Sequence, residues 1–166
     1  HAALPEVLRQ RGHVAVTASA ASFVNAPCMS AYSATKAGVE AMCNSLRIEV
    51  AHHGVTVGAI HPSWVATPLI DKAVQLTAFM RLREALPAPL RRDMPLSAAA
   101  DIVARGLCER RDRVYAPGYV RLMRWLRTPL HSTLAERDFR QAMPEIERAF
   151  ASDAAIHGVA KASGGQ

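Results

Sequence analysis

The chain has 166 residues, 50% hydrophobic and 20% charged, a balance that excludes fibrous and intrinsically disordered classes and suits one soluble globular domain. Its net charge is +6, and its three cysteines, Cys28, Cys43 and Cys108, are widely spaced and odd in number, which argues against a disulfide framework or a metal site and for a reduced, cytoplasmic setting. No run approaches the roughly 18 consecutive apolar residues of a membrane span, and no basic-then-apolar segment opens the sequence.

In chain order, His1 to Gly12 begins without Met and reads as the last turns of a helix that stops near Gly12. His13-Val-Ala-Val-Thr-Ala18 is β-rich and predicts a strand that delivers Ser19 at its end. A long apolar-periodic segment predicts a helix from about Ala31 to His53, with Ser30 as N-cap and Gly54 as stop, roughly 35 Å long. Tyr32 and Lys36 lie four residues apart at its start, so phenol and ammonium share one face. A cation beside a phenol favours the phenolate, which suits the pair to proton exchange near neutral pH. Chance alone supplies about 0.05 such pairs in a chain with three Tyr and three Lys, and most are solvated decoration, so context must carry the weight. That context is Ser19, thirteen residues before Tyr32, where a strand end could direct its hydroxyl to the same substrate oxygen.

Val55-Thr-Val-Gly-Ala-Ile60 is nearly continuous and β-branched, the pattern of a buried parallel strand, and it leads into His61-Pro62. Ligands of doubly wound sheets bind outside the carboxyl ends of strands, which predicts Ser19 and the turn from Pro62 to Thr67 at one rim. Leu69, Ile70, Val74, Leu76, Phe79, Met80 and Leu82 follow in a segment broken by Pro87, Pro89 and Pro95. Ser97 to Arg111 reads as a capped helix and Arg113-Val-Tyr-Ala-Pro117 as a last strand ending at proline. Residues 128–166 read as a weakly helical, flexible tail whose Gly164-Gly165-Gln166 end is expected to be disordered.

Three of these stretches together resemble the short-chain dehydrogenase/reductase family: Gly12 to Ser19 as the strand ending at the catalytic serine, Tyr32-Ser-Ala-Thr-Lys36 as the Tyr-x-x-x-Lys motif, and His61-Pro-Ser-Trp-Val-Ala-Thr67 as the turn after the next strand. The resemblance runs clearly from His1 to about Thr67 and weakly on to Pro117. It departs from the family pattern at Ala18, for a second serine, at Ser63, for a glycine, and at Ser22, at a common glycine position, where a loop hydroxyl satisfied by backbone is the simplest reading.

The resemblance implies an α/β fold, a partial Rossmann-like doubly wound parallel sheet, with residues 1–127 as the C-terminal half of a dinucleotide-binding domain. Residues 68–96 would form its mobile substrate lid. It implies an oxidoreductase that moves a hydride between NAD or NADP and an alcohol or ketone, with Ser19, Tyr32 and Lys36 catalytic. Tyr32 and Lys36 would also hold the cofactor, together with Pro62, Ser63, Val65 and Thr67. The apolar residues of the lid segment suit a lipophilic substrate, although core packing explains them equally well. The equivalent family helix packs across a subunit interface, and Ala34, Ala37, Gly38 and Ala41 permit close approach, so a homodimer or homotetramer is expected.

The family's Gly-rich phosphate loop is absent from these residues, so half of an enzyme is expected that neither binds NAD(P) nor behaves as a folded monomer without what precedes His1. The alternative is a pseudoenzyme or fold fragment retained for subunit association. Residues 81–148 carry 14 Arg against nine acidic residues, +5 of the net +6. Nucleic-acid binding is disfavoured because acids are interspersed and no aromatic-and-basic stripe is present. Leu122, Met123, Trp125 and Leu126 among Arg121, Arg124 and Arg127 could touch a membrane surface, but a solvated helix face is the simpler reading.

Overall fold

The computed structural model describes residues 2–24, 27–133 and 136–157, and these divide into two units, His1–Ser63 with Pro95–Arg127, and Trp64–Met94 with Thr128–Gln166. In the first, β1 (His13–Thr17), β2 (Thr56–Pro62) and β3 (Arg113–Ala116) form a parallel sheet in the order β1-β2-β3, with His13 opposite Thr56 and Ala59 opposite Arg113. The central strand has paired neighbours on both sides, so its run from Val57 to His61 is wholly buried, whereas Ala15 and Thr17 of β1 are exposed. This is the α/β, partial Rossmann-like sheet expected from the sequence, with all three strands at their expected places.

Two glycines allow its close approaches. A Cβ on Gly58 would lie 2.5 Å from the Arg111 carbonyl, and one on Gly106 in α5 (Leu96–Cys108) would overlap the Val114 side chain, so the loop before β3 and helix α5 can reach the sheet only past bare backbone. Helix α2 (Ser30–Val50) covers the sheet through Val39, Cys43 and Leu46, which pack with Val14, Val16, Val57 and Ala59 and with Leu4, Val7 and Leu8 near or in α1 (Leu4–Arg9). Arg47 fastens its later turns by donating to the Val57 carbonyl at 2.8 Å and the Asp112 carbonyl at 3.2 Å.

Local chemistry differs from expectation at two helix ends. Arg11, with φ of 47°, takes the left-handed position after α1, while Gly12 sends its N–H back to the Val7 carbonyl. Helix α2 begins at Ser30 itself, with Met29 at the N-cap and no side-chain cap; Gly54, with φ of 74°, provides the expected stop after a 3-10 turn at Ala51–His53.

After β3, helix α6 (Tyr119–Trp125) buries Val120 beside Phe23 and Ala20. Arg124 of this helix pairs with the buried Glu40 of α2 and lies over the Phe23 ring, so the basic face expected to be solvated turns one of its three arginines inward. Leu122 and Trp125 remain exposed.

The second unit holds α3 (Pro68–Ala73), α4 (Thr77–Glu84) and α8 (Arg137–His157); the four residues Arg127–Leu130 form a short α7 at its boundary. Residues 64–94, which hold most of the segment read as a lid, group with residues 128–166, read as a weakly helical or flexible tail, in which Arg137–His157 is a 21-residue helix. Buried Asp153 of α8 accepts the Ala78 N–H at 2.9 Å, supplying from a distant helix the cap that Leu76 cannot give α4. Leu82 and Ala78 are buried, Phe79 packs edge-on against Trp64, and Leu69 and Met80 stay exposed. Residues 158–166, with the expected disordered end, lie outside the described residues. Among the described residues no helix is long and apolar enough to cross a membrane, and no group of His, Cys, Asp and Glu could hold a metal ion.

Candidate functional site

β1 hands the chain to Ser19, which sits in extended backbone and opens a 3-10 turn, Ala20–Ser22. The Ser19 hydroxyl accepts the Ala21 N–H at 3.1 Å, a contact that leaves its proton available to donate. Ser22 reciprocates: its Oγ accepts the Ser19 N–H at 3.4 Å and donates to the Lys36 carbonyl at 3.0 Å. Ser22 is therefore a backbone-satisfied hydroxyl, as expected, but the groups it satisfies belong to two of the candidate catalytic residues.

Lys36 is tied from its other end as well. Its Nζ donates to the Thr17 carbonyl at 3.0 Å and stands 5.7 Å from the centroid of the Tyr32 ring. The i, i+4 spacing on α2 places ammonium beside phenol, and the bond to Thr17 draws that pair to the carboxyl end of β1. Tyr32 is 43% exposed, while Ser19 is buried.

At the end of β2, Pro62 closes the strand, and Ser63 donates its N–H to the Ala116 carbonyl at 2.8 Å and accepts the Tyr119 hydroxyl at 3.3 Å. The residues other than glycine with positive φ among those described are Arg11, Cys28 and Arg110, so serine at 63 stands without the strain a glycine would have relieved. Val65 and Thr67 belong to the second unit. Val65 forms a parallel bridge with Met94 that uses the Trp64 carbonyl and the Ala66 N–H, leaving its own N–H and carbonyl on the opposite edge. Thr67 N-caps α3, accepting the Ile70 N–H at 3.5 Å, with Pro68 in the first turn.

His61 was read from the sequence only as the residue before a turn. It is fully buried on β2, its Nδ1 3.2 Å from the Ser19 carbonyl, its ring stacked on Tyr115 and tilted against Phe23. Burial pushes its pKa below the ordinary histidine value; the bond to Ser19 opposes this and Arg113 adds to it. A single polar side chain inside an apolar, β-branched run was the available signal.

The parallel α/β sheet carries Ser19 just past the carboxyl end of β1, with Lys36, and Tyr32 one turn before it, tied to that end. The short-chain dehydrogenase family model matches residues 1–76, so this part of the chain is similar to that family. Among its relatives, a D-beta-hydroxybutyrate dehydrogenase of Rhizobium meliloti is 41% identical over 63 residues, 38% of this chain and 24% of the relative. A (-)-trans-carveol dehydrogenase of Rhodococcus erythropolis is 39% identical over 71 residues, 42% of this chain and 26% of the relative. Short-chain dehydrogenase RED2 of Pyricularia oryzae is 37% identical over 65 residues, 39% and 23% of the two chains. The chain thus spans about a quarter of the length of the curated relatives it matches. The family match ends at residue 76, so residues 77–166, including β3, lie beyond it.

Within the first unit, the residues present fit the nicotinamide end of NAD or NADP: Lys36 keeps two ammonium protons beyond the one given to Thr17, and Tyr32 is accessible.

Proposed function

We propose that this chain carries the catalytic residues of an NAD(P)-dependent oxidoreductase acting on a lipophilic alcohol or ketone. The observation that supports it most is the double tie between α2 and the end of β1, Lys36 Nζ to Thr17 and Ser22 to the Lys36 carbonyl, which holds the turn bearing Tyr32 to the strand end bearing Ser19. Bound NAD or NADP supplies the hydride chemistry. Tyr32 gives or takes the proton at the substrate oxygen, and Ser19 donates its Oγ–H to the same oxygen. Lys36 places positive charge beside the phenol and holds the nicotinamide ribose hydroxyls. Pro62, Ser63, Val65 and Thr67 would bind the cofactor, the Val65 main chain at its carboxamide and Thr67 at that group or the pyrophosphate.

The relatives named for carveol and hydroxybutyrate support a hydroxyl-bearing substrate class, and exposed Leu69 and Met80 support a lipophilic one. Assembly as a homodimer or homotetramer is supported by the exposed face of α2, where Ala34, Ala37, Gly38 and Ala41 leave open space above Gly38. Nucleic acid is disfavoured as a partner because several arginines already face acids, as in Arg111–Glu109, Arg113–Asp112 and Arg140–Glu136. The three free thiols support a cytoplasmic location.

The deciding experiment is Tyr32→Phe in the full-length protein. Turnover should fall about 10²–10⁴-fold with cofactor binding retained, and near-normal turnover would remove Tyr32 from the chemistry. A second reading, a non-catalytic element of subunit association, is favoured by β1, which among the described residues pairs only with β2. Absence of turnover in the unmutated full-length protein with a panel of alcohols and ketones would favour it.

A further inference from the structure

The β1–β2 ladder reaches its last rung where the Ala18 N–H donates to the Ile60 carbonyl at 2.8 Å. One residue further, β1 turns away into the 3-10 turn and Ser19 loses main-chain support from its neighbour strand. His61, the next residue of β2, takes over with its side chain, its Nδ1 3.2 Å from the Ser19 carbonyl. A carbonyl can only accept, so Nδ1 carries the proton and the other nitrogen carries the lone pair. That Nε2 is buried and has no hydrogen-bond partner. An aromatic hydrocarbon between Phe23 and Tyr115 would pack without that desolvation cost, so the bond to Ser19 is what distinguishes an imidazole at this position.

We propose that His61 is a positioning residue, which through its Nδ1–H holds the Ser19 main chain so that the Ser19 hydroxyl stays aimed at the substrate oxygen. The inference rests on the proposed role of Ser19. With His61 in place Ser19 is held by four bonds, its carbonyl by His61 and by the Ser22 N–H at 3.0 Å, its N–H by the Ser22 hydroxyl and its Oγ by Ala21; His61 is the one of these partners from another strand, and Ser22 passes the constraint on to Lys36. The ring is itself immobilised by Tyr115, stacked at 5.3 Å, and by Phe23, tilted at 5.4 Å. Strand β2 thereby sets the geometry of a residue just past β1 that its own ladder no longer reaches.

The test has a spectroscopic and a kinetic arm, both on the full-length protein. Imidazole nitrogen–proton correlation spectra without cofactor should show His61 as the neutral Nδ1–H tautomer; an Nε2–H tautomer would overturn the proposal. His61→Phe should keep the melting temperature and the cofactor KM while lowering kcat by roughly tenfold to a hundredfold, as expected for a misplaced group. His61→Asn, whose amide can donate near the Nδ1 position, should recover most of kcat. A His61→Phe enzyme that is stable and within twofold of normal kcat would overturn the proposal, as would parallel losses of stability and rate in both variants. Ser19→Ala separates the two layers. Full activity there defeats the role of Ser19 whatever the tautomer, whereas a crippled Ser19→Ala beside a normal His61→Phe defeats the role of His61 alone.

Discussion

The two units are held by different kinds of bond. In the first, a parallel ladder and side chains that cap main-chain groups, Arg47 on Val57, Ser22 on Lys36, Lys36 on Thr17 and His61 on Ser19, bind the backbone to itself. In the second, helices are joined by a few side-chain anchors. Asp153 caps α4, and Arg83 ion-pairs with Asp93, donates to the Arg91 carbonyl and lies over the Trp64 ring. Backbone fixed by several bonds can place a reacting group to a fraction of an ångström, whereas helices with one or two anchors open more readily. The candidate chemistry of Ser19, Tyr32 and Lys36 lies in the unit with the denser main-chain network.

That contrast can be broken first at Lys36. Lys36→Ala removes both the charge beside Tyr32 and the bond to Thr17, and kcat/KM should fall roughly 10³-fold with weaker cofactor binding. Steady-state kinetics with calorimetric titration of the cofactor would check it, and a loss under tenfold would show that the tie is dispensable.

Next in size is the ion pair between α2 and α6. Glu40→Ala leaves Arg124 without its carboxylate in a partly buried site and should cost about 3 kcal/mol of stability, read from denaturant unfolding. Glu40 and Arg124 replaced together by apolar residues of similar size should lose much less, because the stranded charge is then gone.

Asp153→Ala tests the second unit. It removes a buried cap on α4 and should cost about 1–2 kcal/mol, seen as faster amide exchange in residues 77–80. Asp153→Asn keeps an acceptor and should lose less.

The smallest effect is that of pH. Burial lowers the pKa of both His61 and His13, with Arg110 adding to the effect at His13, so below the ordinary value of 6.5 the unfolded chain takes up protons that the folded one does not. Stability is therefore complete above that pH and declines as pH falls through it, with His61 contributing at most about 1.4 kcal/mol per pH unit. In the His61→Phe protein the decline should be shallower; an equal slope would assign the acid sensitivity to other groups.

Much of this molecule was legible in the sequence because the signals were local. Short β-rich runs marked all three strands, and the four-residue spacing of Tyr32 and Lys36 put them on one helix face. What was missed depended on partners far away in the chain. Serine at 22 reads as a loop residue until its hydroxyl is found on Lys36, fourteen residues on, and His61 reads as a turn residue until its ring reaches Ser19, 42 residues back. Where residues 64–94 group with the C-terminal helix, Asp153 reaches Ala78, 75 residues away, a charge indistinguishable in sequence from any solvated acid on an amphipathic helix. Periodicity encodes which face of an element is buried, but which donor meets which acceptor is decided only when the chain has closed the loops between them.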